Sequence, residues 1–398
     1  ANGLEFGRWK TRVRGAAEVL GQAPLSCMAE EIATPGEGQI RALVTIAGNP
    51  VISAPDAGRL DEALPQLECM IAIDNYLNET TRHAHVILPG LSALEQPHFD
   101  DLIAMWAVRS AGNYSAPVFP PAPGRPAEWE ILLKLGALAG GMTLDQIDVA
   151  AIDDGYFMAL AMAQGMDAAK VLPLYEGRGP ERLLDLQIRT GPFGDRYGEN
   201  PGGLTLQHFV DAPHGIDMGP LVPRLRELLS TPSGKVELAH PYVMADVARL
   251  RARLERRVDR LLLVSRRHLR SNNSWMHNLE TLVRGRDRCT LLVHPDDARA
   301  KSLADGALAR VTSEAGSIVV PVQVSDEMMP GVVSLPHGWG HDKDGIRLGV
   351  AKQYAGVNSN ILSPGRLVDP LSNNAVVNGI EVEVAPAKTH RRDCGKGR

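Results

Sequence analysis

Short apolar runs alternate with amphipathic stretches through residues 36–125. ALVTIAG (Ala42 to Gly48) is continuously apolar and ends on a breaker, which predicts a buried strand. Leu60, Ala63, Leu64 and Leu67 then recur at three- and four-residue spacing and predict a helix over 57–67. CMIAID (Cys69 to Asp74) predicts a second strand and HVILPG (His85 to Gly90) a short third. Strand, helix and strand joined by short connections are the mark of a parallel α/β unit. MWAVRS reads as one more strand at its edge, and EWEILLKLGAL (Glu128 to Leu138) closes it as an amphipathic helix.

From Gly140 to Pro241 the periodicity fades. GRGPERLLDL, GPFGDRYGENPGG and DAPHGIDMGPL are rich in Gly and Pro and predict irregular connections, with TPSGKVEL as a turn and short strand. Val243 to Arg260 predicts a helix with Val247, Leu250 and Leu254 turned inward and its arginines solvated. Beyond Leu261 the texture becomes short strands and turns: LLLVSRR, CTLLVHP, GVVSLPHGW and GIEVEVAP, with ARVTSEAGSIVVPV as a hairpin around Glu314-Ala315-Gly316. HPDDARAKSLADG between two of them predicts a short helix capped at Asp296 and ended by Gly306. Evenly spaced short strands argue a small barrel, and the tail THRRDCGKGR reads as disordered.

Composition narrows the field. At 398 residues, 44% hydrophobic and 22% charged, the chain has room for two or three domains with real cores. A formal net charge of -5 gives no global field for nucleic acid. No apolar run reaches the roughly 18 residues that span a bilayer. The start, ANGLEFGRWK, lacks an initiator Met and a signal-peptide core, so Ala1 reads as an internal cut. Cys27, Cys69, Cys289 and Cys394 lie too far apart for a C-x-x-C pair, which leaves no local zinc or iron–sulfur motif and favours the cytoplasm.

The candidate chemistry sits where strands end. Gly48-Asn49-Pro50 closes the first strand, where open parallel sheets bind ligands: Gly admits a close approach, Asn offers donor and acceptor, and Pro50 keeps Asn49 extended. Asp74 and Asn78 close the second strand. Asp74 there can take two N–H groups from a guanine edge or bond ribose hydroxyls, while the plainer reading is a helix cap by Asn78 or Thr80. SRRHLRSNNSWMHN (Ser265 to Asn278) gathers arginine forks and amides suited to pyrophosphate and ring edges, and reads otherwise as an exposed basic loop. GVNSN and DPLSNN add more carboxamides. His83 with His85, and His337 with His341, are spaced for metal but lack a third ligand, so no metal site is assigned. No G-x-S-x-G, Walker or H-E-x-x-H pattern appears, and the glycines do not form a dinucleotide fingerprint.

In this order the residues resemble a molybdopterin oxidoreductase of the dimethyl sulfoxide reductase superfamily, nearest in flavour to formate-dehydrogenase-like members. RALVTIAGNPVISAPD with IDNYLNETTRHAHVILPGLSALE resembles the family's α/β domain, which holds one guanine dinucleotide arm of the cofactor. HPDDARAKSLADGALARVTSEAGSIVVPVQVSDEMMPGVVSLPHGWGH resembles its double-psi-type β-barrel, the molydopterin dinucleotide-binding domain. Ala84-His85-Val86 departs from the family's usual Ala-Asp-Val.

The resemblance implies a parallel-sheet α/β domain over 1–145 and a connecting segment over 146–258 that packs on a family half not matched here. A β-barrel over 259–388 and a disordered tail over 389–398 complete the division. It also implies a molybdenum-bearing bis-molybdopterin guanine dinucleotide. Gly48, Asn49, Pro50, Asp74 and Asn78 would line the nucleotide crevice. Arg266, Arg267, Asn273 and Ser274 would lie along pterin and pyrophosphate. His337, Gly338 and Trp339 would stand at the barrel mouth, with Asn358, Asn360, Asn373 and Asn374 around the pterin end. The family's cluster-binding cysteines and metal-ligating side chain have no match, so the chain reads as the carboxyl-terminal half alone. It is expected to hold cofactor, to turn over little by itself, and to need a complementary half or subunit. An iron–sulfur cluster is expected only in that other part. A non-catalytic nucleotide-binding protein and a histidine-based metal hydrolase are the rival readings.

Overall fold

The computed structural model describes residues 6–100, 102–370 and 372–387. The expected disordered tail, and Cys394 with it, lies outside these. The chain divides into two compact units: residues up to Ile87 together with those from Leu229 onward, and Leu88–Leu228.

The first unit opens with an antiparallel pair, β1 (Phe6–Lys10) and β2 (Ala17–Val19). A three-stranded parallel sheet follows, β3 (Ala42–Ile46), β4 (Cys69–Ile73) and β5 (Val86–Ile87), in that spatial order. Helices Met28–Ala33 and Ala57–Ala63 cover one face, burying Ile32, Leu60, Leu64 and Met70. On the other face β3 is open, with Val44 and Ile46 about half exposed at 49% and 51%, while Ile73 of β4 is buried. The strand expected to be buried is therefore buried on one side. Its continuous apolar run is what a parallel strand sandwiched between two layers needs.

The barrel comes from the second part of this unit: β10 (Leu261–Arg266), β11 (Leu291–Val293), β12 (Leu308–Thr312), β13 (Ser317–Val324), β14 (Val332–Pro336) and β15 (Ile380–Pro386); β6 to β9 lie in the intervening unit. They close in the order β10-β14-β11-β13-β12-β15. β10 runs parallel to β14 and β11 parallel to β13; the other pairings are antiparallel. Period-two alternation sends Leu261, Leu263, Val320, Val322, Val382 and Val384 inward. The hairpin at Glu314–Gly316 forms as its sequence directs. The intervening helix is Pro295–Ala300, capped by His294, whose Nδ1 accepts from the Asp296 N–H. Asp296 thus sits inside the first turn instead of capping it, and the helix stops at Lys301, before Gly306.

The helix expected from Val243 spans Pro241–Glu255, but Leu250 and Leu254 are exposed, not inward. The described residues bring no apolar surface against that stripe. TPSGKVEL makes the turn without the strand.

The second unit corrects the expectation of irregular connections. Asp148 caps a helix over Val149–Ala163, and Pro180 opens another over Pro180–Thr190. Phe157, Ala161, Val171 and Leu186 pack between them. Glycines and prolines mark the ends of these helices, which is why the composition hid them. Two small antiparallel ribbons complete the unit, β6 (His98–Phe99) with β8 (Tyr114–Ser115), and β7 (Arg109–Gly112) with β9 (Ile216–Pro220). The MWAVRS stretch thus supplies β7 to a separate ribbon and not an edge to the parallel sheet. Among the described residues no helix is long and apolar enough to cross a membrane.

Candidate functional site

β3 ends at Ile46, turns through Ala47 (φ 47°), Gly48 and Asn49, and enters a single helical turn, Pro50–Ser53. Pro50 occupies the first helical position, where a missing N–H is harmless. Asn49 does not cap that turn. Its Nδ2 donates to Glu79 Oε2 at 2.7 Å, and its Oδ1 accepts from Thr80 Oγ1 at 2.7 Å. Thr80 in turn accepts the Val51 N–H. The carboxyl ends of β3 and β4 are therefore tied together by buried polar side chains.

Asp74, just past β4, accepts the Tyr76 N–H and the Asn78 amide. Burial raises its pKa above the ordinary aspartate value, against these two bonds and a third from the Asn75 backbone. Its two oxygens keep acceptor capacity beyond them. Asn78 Oδ1 accepts the Thr80 and Thr81 N–H groups, which is the capping role weighed for it in the sequence. His83 bonds Asp61, which also receives Arg82 and Lys343.

The barrel presents its loops to this same strand end. Asn358 and Asn360 donate to the Val51 and Ile52 carbonyls at 2.8 and 2.6 Å. His337 Nδ1 lies 3.5 Å from the Asn360 amide, and burial with nearby Arg267 pushes its pKa down to about 4. Gly338 adopts φ 93° and lies so close to the Asn273 backbone that a methyl group there would overlap the Asn273 carbonyl. Trp339 is buried and stacks on His277 with ring centroids 4.0 Å apart. Asn273 accepts from Arg267 at 2.6 Å, and Ser274 follows it at the start of the turn Trp275–Asn278.

Four residues outside the expected site set, His341 among them weighed only for metal, join these pieces. Glu79 Oε1 meets His341 Nδ1 at 2.8 Å, His341 Nε2 meets His277 Nδ1 at 2.9 Å, and His277 Nε2 meets Ser271 Oγ at 2.8 Å. Burial opposes ionisation of Glu79, yet bonds from His341 and Asn49 outweigh it and hold the carboxyl below the usual glutamate value. Burial, reinforced by His341, pushes His277 down to about 3. The one local hint was an acidic residue set among capping residues in Asn78-Glu79-Thr80-Thr81.

Some expected site residues go elsewhere. The Arg266 guanidinium reaches into the barrel wall, donating to the Ser334 and Thr290 carbonyls at 2.6 and 2.7 Å, and burial lowers it to about 10. It acts as a clasp between β10 and β14 more than as a fork open to pyrophosphate. Asn373, at φ 55°, donates to the Ala17 carbonyl at 2.6 Å, and Asn374 lies in its turn, with its carbonyl accepting the Asp369 N–H. The Asn373 carboxamide thus holds this turn against β2, and Asn374 closes the turn through its backbone. His337 and His341 point to different partners, Asn360 and Glu79.

Two polar atoms within this region are buried without a hydrogen-bond partner: Trp339 Nε1 and His268 Nε2. A buried indole N–H needs an acceptor. A heterocycle or phosphate oxygen seated at the barrel mouth would supply one, so the residues fit a pterin-type ligand.

A family model described as molybdopterin oxidoreductase matches residues 8–136, and one described as molydopterin dinucleotide binding domain matches 261–380. The oxidoreductase match takes in residues 8–136, so these early residues are similar to that domain and the match does not support a carboxyl-terminal half alone. A dimethyl sulfoxide/trimethylamine N-oxide reductase of Cereibacter sphaeroides is 27% identical over 80% of this chain and 38% of its own length. The F420-dependent formate dehydrogenase subunit alpha of Methanocaldococcus jannaschii is 23% identical over 75% of this chain and 38% of its own. The chain thus spans about two fifths of these curated relatives. Acetylene hydratase from Pelobacter acetylenicus shares the fold at a TM-score of 0.62 and 17% identity, over 93% of this chain and 47% of that one.

Proposed function

Because this chain carries a molybdopterin oxidoreductase domain and a molydopterin dinucleotide-binding domain and is homologous to the dimethyl sulfoxide reductase family, we propose that it holds the guanine dinucleotide arms of a molybdopterin cofactor. The observation that carries this reading is the meeting of two polar ends. Just past the carboxyl end of the first parallel strand, the Val51 and Ile52 carbonyls accept directly from Asn358 and Asn360 on the loops of the closed barrel. Ligands of open α/β sheets sit at that end of the strands.

In this reading Gly48 leaves the backbone open to a nucleotide, and Asp74 uses its remaining lone pairs on a guanine or ribose. Arg267, Asn273 and Ser274 face the pyrophosphate. Trp339 offers its indole N–H, and neutral His337 accepts or donates without adding charge beside an anionic tail. When bound, the cofactor supplies two-electron redox chemistry at its metal. The chain's contribution is orientation: carboxamides already fixed by the seam cannot swing away from the ligand. Two-electron redox of formate or another small substrate, a partner that completes the site, and a cytoplasmic setting belong to the proposal. So does low turnover by the isolated chain, since relatives are about twice as long.

The test is to purify the full chain from a host that makes the cofactor, then measure guanine released by acid hydrolysis together with molybdenum. Guanine and molybdenum retained together, and lost together in Trp339→Phe, support the reading. A preparation that retains neither overturns it. Guanine without molybdenum would indicate a nucleotide-binding module with no redox role. Strong dye reduction with formate or dimethyl sulfoxide would overturn the expected low turnover.

A further inference from the structure

Ser271, His277, His341 and Glu79 form one line of hydrogen bonds, each 2.8 to 2.9 Å, outside the cofactor contacts proposed above. All four are nearly or wholly buried, with His341 and Glu79 fully so. The line runs from the loop after β10, through the loop after β14, to the end of β4. Its outer end, Ser271, lies between exposed Arg270 and Asn272.

Elementary chemistry allows this line two polarities. An ionised carboxylate only accepts, so His341 Nδ1 donates to Glu79 in either one. With both rings neutral, His277 Nδ1–H donates to His341 Nε2, and the Ser271 hydroxyl donates to His277 Nε2. With one more proton, His341 donates from Nε2 to His277 Nδ1, and His277 donates from Nε2 to Ser271 Oγ. No heavy atom need move between the two.

We propose that this line is a proton-loading relay, which admits a proton at Ser271 and stores it on His341 against Glu79. A proton from a solvent hydronium, which leaves as water, reaches Ser271 Oγ as the serine's own hydrogen crosses to His277 Nε2. His277 then releases its Nδ1 proton to His341 Nε2. One proton is gained, His341 becomes imidazolium, and every other group ends neutral apart from the Glu79 carboxylate.

The charge belongs on His341. It alone of the two rings touches a carboxylate. His277 faces His341, His268, His337 and Ser271 and stacks on Trp339, none of which is anionic. Glu79 faces His341 and Asn49. Lys343, two residues beyond His341, is neutralised by Asp61 and does not compete for Glu79. The relay stands whether or not a cofactor is held, because all its members are side chains of this chain.

Histidine-selective 15N NMR of the full chain between pH 5 and 9 tests the relay. The expected result is one joint transition. His341 gains a proton at Nε2 while keeping Nδ1–H, and His277 moves its proton from Nδ1 to Nε2 at the same pH. A His277 that keeps one protonated nitrogen throughout, or no change in either ring, overturns the proposal. Glu79→Gln removes the counter-charge and is expected to move the transition down by about one pH unit or more; an unmoved transition overturns storage against Glu79. Ser271→Ala, which disturbs no ionised group, is expected to keep the transition but lose fast exchange of the His277 Nε2 proton with water. Exchange as fast as in the parent overturns entry at Ser271.

Discussion

Replacing Glu79 by leucine tests the seam that joins the sheet to the barrel. The side chain is fully buried and accepts one hydrogen bond from Asn49 and one from His341. Leucine fills similar space but accepts nothing. Two buried donors then lose their partner, at about 1–3 kcal/mol each. If His341 carries a proton, the loss approaches the 3–5 kcal/mol typical of a broken buried ion pair. The expected destabilisation is therefore about 4 kcal/mol, a large share of the roughly 5–15 kcal/mol that holds a domain together. At a urea slope of about 2 kcal/mol/M this lowers the unfolding midpoint by about 2 M. The assay is equilibrium urea unfolding followed by hydrogen exchange, with protection read at Val51 and Thr80, whose N–H groups lie in the seam. A midpoint shift below about 0.5 M, with exchange at those amides unchanged, would refute the claim that Glu79 is the buried keystone of this contact.

Three further outcomes are expected. Acidification from pH 7 to 4 should weaken the first unit. Unfolded histidine takes up protons near pH 6.5, while His277 and His337, depressed to about 3 and 4, do not until lower pH, so protons favour the unfolded chain. Glu79, also depressed, adds to the loss as pH falls below the ordinary glutamate value towards its folded one; pH-dependent urea midpoints measure both, and stability flat from pH 7 to 4 contradicts the buried neutral rings. Gly338→Ala should cost more than about 2 kcal/mol, because φ 93° and the Asn273 carbonyl both exclude a Cβ; thermal unfolding and cofactor retention should fall together. In the second unit, Arg182→Ala leaves the buried Asp153 carboxylate without its 2.6 Å partner and should cost about 3–5 kcal/mol; limited proteolysis should then cut within 88–228 while the barrel stays protected.

Much of the fold was legible because its signals are local. The strands at Ala42 and Cys69, the hairpin at Glu314–Gly316 and the inward alternation of β13 each depend on a few neighbouring residues. So did the turn at Gly48-Asn49-Pro50. The helices of 149–163 and 180–190 were missed for a related reason. Gly and Pro at their borders dominated the composition, although Asp148 and Pro180 were ordinary start signals. Asn78 did what its capping chemistry suggested.

What the sequence by itself determined, then, is where strands stop and which loops carry amides and guanidinium groups. It also carried the similarity to molybdopterin oxidoreductases, since the matches over 8–136 and 261–380 rest on residue order. Only the tertiary structure decided what those groups touch. Arg266 reads as a ligand fork along the chain but folds into the barrel wall, because its strand places it beside the carbonyls of Ser334 and Thr290. Glu79 and His341 are 262 positions apart and become partners only when the sheet end and the barrel loop close on each other. Periodicity reports on neighbours within a turn or a strand. A hydrogen bond between distant side chains leaves no such trace, because its geometry is set by packing that many different local sequences can provide.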